Sequence, residues 1–110
     1  MNELEKRVRL VSLLRIYGGL LSPSQKEILT SHLLYDLSIG EISEERGISR
    51  AAAFDAIKKG DTRLEEIEKA VGFLSLREGL STRLKKALSL DDEGLRKEIE
   101  GIKEDIDNGI

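Results

Sequence analysis

Between Ala53 and Leu74 one set of residues recurs four and three positions apart almost without error: Ala53, Ile57, Gly60, Leu64, Ile67, Val71 and Leu74. A strand alternates with a period of two, so a stripe repeating every ~3.5 residues fits only a helix, one that lies against a partner along its length. The same spacing recurs at Leu95, Ile99, Ile102 and Ile106, and at Leu4, Val8, Val11 and Leu14, where Leu10, Leu13 and Tyr17 widen the apolar face. The core composition agrees, with 18 Leu and 11 Ile against 3 Val, 4 aromatics and a single Pro. That mixture favours helices over sheets, which prefer β-branched and aromatic residues. The expected fold is an all-α helical bundle. A chain of 110 residues is sized for a single domain over 1–110.

Caps and breakers divide the chain. A first helix spans 3–17 and stops at Gly18-Gly19. Ser22-Pro23-Ser24-Gln25 combines a serine cap, proline at the first helical position and glutamine at the capping-box position, and predicts a helix from 23 to about 35. Ser38 with Glu41 repeats the box and opens a helix over 39–46. Gly47 ends it where a left-handed backbone is needed, Ile48 is expected to point inward, and Ser49 caps a fourth helix from Arg50. Two short-linked helices of this kind form a helix-turn-helix, here with internal contacts from Ile42, Ile48, Ala53 and Ile57 and small residues, Ser43 and Ala53, at the close approach. The helix-turn-helix core is expected over about 22–60 and a helical extension over about 61–110. Gly60 weakens a helix by about 1 kcal/mol relative to Ala, so 50–75 is either one helix or two, 50–59 and 61–75. Gly72 and Gly79 mark the next interruption, a shorter helical segment carries Leu80, Leu84, Ala87 and Leu88, and a last helix over about 94–107 starts from a cap at Asp91 or Asp92.

Several classes of chemistry are absent from this residue set. Without cysteine there is no disulfide framework, thiolate zinc site, iron–sulfur cluster or cysteine nucleophile. The single histidine, His32, excludes a histidine-rich metal site. Gly18-Gly19 lacks the following Lys-Ser/Thr of a phosphate loop, and there is no Gly-x-Gly-x-x-Gly. Many carboxylates stand at helical spacing from a cation, as Glu65 does from Lys69, the usual pattern of a solvated helix face. No apolar run exceeds the four residues Ala51 to Phe54, and neither a membrane span nor a signal peptide is expected. The expectation is therefore a cytoplasmic, non-enzymatic protein without cofactor or metal.

If the fourth helix enters a nucleic-acid groove, its outward residues are Ser49, Arg50, Ala51, Ala52, Phe54, Asp55 and Lys58. As a base reader this set is poor: Arg50 is the only Arg, Lys, Asn or Gln near the helix start, and Asp55 repels phosphates. Lys58, Lys59 and Arg63 make 50–63 mildly basic, four cations against two acids, which supports modest, salt-dependent backbone contacts. Phe54, between Arg50 and Lys58 at i ± 4, suits stacking on a base or filling a protein pocket; the competing reading buries it under a folded-back helix as ordinary core. Ser49, Arg50, Phe54, Lys58, Lys59 and Arg63 are thus the candidate nucleic-acid or partner-binding residues. Ile57, Leu64, Ile67, Val71 and Leu74 are a candidate homodimer seam, with packing of the 53–74 stripe on the 95–106 stripe of the same chain as the alternative.

Leu21-Ser22-Pro23-Ser24-Gln25, Asp36-Leu37-Ser38-Ile39-Gly40-Glu41-Ile42 and Gly47-Ile48-Ser49-Arg50 resemble region 4 of bacterial sigma factors. Ala53-Phe54-Asp55-Ala56-Ile57-Lys58-Lys59 and Leu64-Glu65-Glu66-Ile67-Glu68 sharpen the resemblance to the YlxM family of small helix-turn-helix proteins, over about residues 4–68 and most specifically 38–68. The chain departs from that family at His32-Leu33, where paired aromatics are common, and at Phe54, where tyrosine is common. The resemblance implies a sigma-region-4-like fold and an accessory or regulatory role toward the signal recognition particle's GTPase, its receptor or its RNA. A transcriptional regulator binding duplex DNA through the same helix is the alternative.

Overall fold

The computed structural model describes residues 1–109, which hold six α-helices and no strand: α1 Glu3–Tyr17, α2 Pro23–Leu33, α3 Ile39–Arg46, α4 Arg50–Val71, α5 Phe73–Ala87 and α6 Asp92–Asp107. The all-α expectation is met. The chain divides into two compact units, Met1–Gly72 and a second that begins at Phe73.

In the first unit each helix starts where a serine or asparagine oxygen takes an otherwise orphaned N–H. Asn2 accepts from the Glu5 amide (2.8 Å), Ser22 from Gln25 (3.2 Å) and Ser49 from Ala52 (3.0 Å). Ser38 and Glu41 form a complete capping box, each side chain accepting the other's backbone N–H at 3.1 Å. Gly18–Leu20 is a single 3₁₀ turn joining α1 to α2. α2 ends at Leu33, two residues short of expectation, because Arg7 terminates it: its guanidinium donates to the Leu33 carbonyl (3.0 Å) and to the Asp36 carboxylate (2.9 Å). Asp36 adopts φ 57° in the following turn, a backbone region that aspartate tolerates better than most residues.

The core is layered around α4, which packs against α1, α2 and α3. Leu13, Leu29, Ile42 and Leu64 are fully buried, with Leu10, Leu14, Tyr17, Ile28, Leu33, Ala53, Ile57 and Ile67 around them, each large side chain contributing about 1.5–3 kcal/mol by leaving water. α1 belongs to this unit, so the core reaches well beyond 22–60. Only the C-terminal half of α1 is buried; Leu4 and Val8, the first two members of its apolar stripe, stay exposed.

α4 runs unbroken through Gly60. A Cβ built there would stand 2.6 Å from Leu29 Cδ1 and 2.9 Å from its Cγ. Glycine is therefore required by the close approach of α2 to α4, and the packing offsets its poor helix propensity. Gly72, at φ 73°, ends α4.

In the second unit α5 runs through Gly79 without interruption and begins earlier than the expected segment around Leu80. Asp91, not Asp92, caps α6, accepting from the Gly94 amide (2.7 Å), and α6 starts two residues before expectation. Arg83 of α5 pairs with Glu98 (3.1 Å) and Asp105 of α6.

The candidate dimer seam is corrected by this packing. Ile57, Leu64 and Ile67 lie in the first unit's own core, Leu74 is buried, and only Val71 is open, at 61% exposure. Within the first unit the 53–67 stripe is covered by α1, α2 and α3, and within the second α6 packs on α5.

Candidate nucleic-acid or partner interface

α3 and α4 form the helix-turn-helix. Gly47 turns the backbone at φ 65°, and the Ile48 amide donates to the Ser43 carbonyl (3.0 Å). The turn is thus closed by backbone bonds, and the Ile48 side chain, expected inside, is partly exposed. Ser43 and Ala53 are buried where small residues were expected, and Ile42 and Ile57 are buried beside them.

The six candidate site residues extend along about 20 Å of α4, at 1.5 Å rise per residue, and fall on two sides of it. Arg50, Phe54 and Lys58, four apart, share one stripe. Phe54 is 48% exposed, so of the two readings of this residue the outward one holds. The Lys58 ammonium stands 5.6 Å from its ring centroid, a cation–π contact of about 0.5–1 kcal/mol at an exposed site. The Arg50 guanidinium lies flat on α3: a Cβ at Gly40 would meet its Nη2, Cζ and Nε at 3.3–3.5 Å. Gly40 in the first turn of α3 thus makes room for Arg50, which extends the exposed surface across the turn.

Lys59 and Arg63 lie on the other side, in exposed pairs with Asp55 (2.9 Å) and Glu66 (3.8 Å). Such pairs contribute little and are easily exchanged for a ligand's charge. These two cations, Lys58 and Glu66 line a groove of about 470 Å³ with Leu20, Leu21 and Ser22 of the α1–α2 connection and Gln25 of α2. Ser49 is occupied as the α4 cap, its hydroxyl already accepting from Ala52.

Three polar features near α4 escaped the sequence reading. The Arg9 guanidinium donates to both oxygens of the Glu65 carboxylate, at 2.7–3.1 Å. The Tyr17 hydroxyl donates to the buried Glu68 carboxylate at 2.7 Å. Asp61 lines a cleft with Lys6, Leu10, His32 and Leu33, and its Oδ1 is buried without a hydrogen-bond partner. Burial pushes the Asp61 carboxyl above the ordinary carboxylate range and Glu65 adds to the rise, against the fields of His32, Lys6 and Lys58. His32 Nδ1 lies 3.0 Å from the Leu37 carbonyl, so this ring has a structural contact in the α2–α3 turn. A signal for two of these was available: Asp61 and Glu68 each stand four residues after a stripe member, Ile57 and Leu64, and so on or beside the buried side of α4.

No helix among the described residues is long and apolar enough to cross a membrane.

A family model described as "Putative helix-turn-helix protein, YlxM / p13 like", UPF0122, matches residues 4–105, extending past the 4–68 that carried the resemblance. A UPF0122 protein of Fusobacterium nucleatum is 33% identical over 103 residues, covering 94% of this chain and 97% of that one. One from Bacillus mycoides is 36% identical over 107 residues, covering 94% and 96%. Another, from Pediococcus pentosaceus, is 47% identical over 73 residues, covering 66% of this chain and 65% of its own length.

Proposed function

The chain belongs to the UPF0122 family of YlxM- and p13-like helix-turn-helix proteins, and from that premise we propose that it is a non-enzymatic accessory protein of the signal recognition particle pathway. It acts by binding the particle's GTPase, its receptor or its RNA through the outer side of α4. The observation that carries this reading is the surface of α4 itself: a half-exposed Phe54 flanked by Arg50, which lies over Gly40, and by Lys58, which covers the ring. An exposed aromatic between two cations suits a pocket on a protein or an unstacked base. It reads duplex base edges poorly, since bidentate readout needs free Arg, Lys, Asn or Gln near the helix start. The pathway assignment itself follows from the YlxM resemblance.

The test is a pull-down, with GTPase assays, using the particle's RNA and both GTPases. Binding of at least one component, with a change in hydrolysis rate, supports the proposal; no binding and no rate change overturn it.

A second reading, a duplex DNA-binding regulator, is favoured by the helix-turn-helix and by the four cations against two acids over 50–63. It requires that selection from random duplexes enrich a site and that Arg50→Ala and Lys58→Ala weaken binding to it.

A further inference from the structure

The second unit leaves several apolar side chains uncovered. α6 has no buried residue, although Leu95, Ile99, Ile102 and Ile106 form a continuous stripe; Ile99 and Ile106 are 52% and 55% exposed, and Leu84 of α5 is 52% exposed. Hydrogen bonds orient the two helices. Arg83 reaches Glu98 and Asp105 and lies 3.4 Å from where a Cβ on Gly101 would sit. The 98–101–105 side of α6 therefore faces α5. At 100° per residue the α6 stripe stands about a quarter-turn from that side, and Leu80 and Leu84 stand a similar turn from Arg83 on α5. The four-residue connection 88–91 makes the helices antiparallel, so equal turns bring both stripes to the same side of the hairpin.

We propose that this side is a homodimer face, on which a second copy of the chain seats its own hairpin to complete a four-helix bundle, α5 over the partner's α6. Charge selects that occupant and that arrangement. α5 carries four basic residues against one acidic, and α6 seven acidic against three basic. A two-fold axis parallel to the helices sets each basic helix over an acidic one, whereas an axis across them stacks α6 on α6, with a penalty for like charges. Size points the same way: a 38-residue unit falls where an isolated hydrophobic core is usually too small and association supplies the rest. This face is separate from the outer side of α4, so the two proposals stand or fall independently.

The chain has no cysteine, which gives a clean test on the intact 110-residue chain. Sedimentation equilibrium should give twice the 12.3 kDa chain mass. The double variant Ile99→Glu/Ile106→Glu, altering side chains exposed in the single chain, should raise the dimer dissociation constant at least about 100-fold with helicity unchanged. Mixing Leu84→Cys chains with Ile99→Cys chains under mild oxidation should give the mixed disulfide in excess of either homodisulfide, since cross-linking requires Cα atoms within about 7 Å. A monomer at high concentration, whatever other protein then covers the face, overturns the proposal. So does a dimer that survives the double glutamate substitution, or an excess of the Ile99→Cys homodisulfide.

Discussion

Replacing Gly60 by alanine tests how α4 is seated. In an isolated helix the exchange stabilises by about 1 kcal/mol, because glycine loses more backbone entropy on folding. Here the new methyl falls 2.6 Å from Leu29 Cδ1 and 2.9 Å from Cγ, well inside van der Waals contact. Leu29 is completely buried, and close-packed interiors leave little room for such a side chain to shift. Overpacking of this kind costs about 1–3 kcal/mol, so the net effect should be a loss of about 1 kcal/mol, or a fall in Tm of about 4–8 °C for a unit of this size. Shortening the obstructing side chain should reverse the sign. Leu29→Ala alone costs about 2–5 kcal/mol, but in that background Gly60→Ala should stabilise by about 1 kcal/mol, a coupling of about 2 kcal/mol in the double-mutant cycle. Urea titrations followed by circular dichroism on the four proteins supply the cycle. If Gly60→Ala stabilises the wild-type chain by the full propensity increment, with no coupling to Leu29, the close-approach argument is refuted.

Two further predictions concern the polar groups around α4. Tyr17→Phe removes a hydrogen bond to a buried carboxylate and should destabilise by about 1.5–3 kcal/mol in the same urea assay; a change under 0.5 kcal/mol would contradict the role given to that bond. Asp61 titrates above its ordinary value of 3.8 because it is buried, so the folded state binds its proton more tightly than the unfolded state. That stabilisation is complete below about pH 4 and is lost as pH rises through the raised folded value. Asp61→Asn, which cannot ionise, should flatten this part of the stability curve between pH 4 and 7; parallel curves for the two proteins would contradict it.

The helix starts of the first unit were readable because each rests on local chemistry. Ser22, Ser38, Ser49 and Gly47 act over one turn of chain, and all four positions behave as their side chains require. What depends on a distant neighbour was not readable. Gly60 looks like a helix breaker until Leu29 is seen against it, and Gly40 is unremarkable until Arg50 lies across it. The 53–74 stripe marked the buried side of α4 from Ala53 to Ile67, while Val71 is exposed and Leu74 lies in α5; periodicity does not say what covers a stripe, and here α1, α2 and α3 do, which removes Ile57, Leu64 and Ile67 from any dimer contact. At the candidate site, the outward position of Phe54 depended on whether a later helix returns over it, a question of topology rather than spacing. The Asp55–Lys59 pair was present in the i, i+4 pattern. The Tyr17–Glu68 bond spans 51 residues, so the position of Glu68 beside the stripe could suggest its burial but not its partner.

The account rests on the exposed Phe54 as the anchor of a partner contact. The direct measurement is the affinity of the wild-type and Phe54→Ala chains for the assembled signal recognition particle and for its separate RNA and GTPase. Circular dichroism should first show equal stability, because the ring is half exposed. Truncating a central aromatic anchor costs about 2 kcal/mol or more, roughly 30-fold in Kd. The account predicts that the wild-type chain binds and that Phe54→Ala binds at least about 30-fold more weakly. Equal affinities of the two chains, or no binding by the wild type, would contradict it.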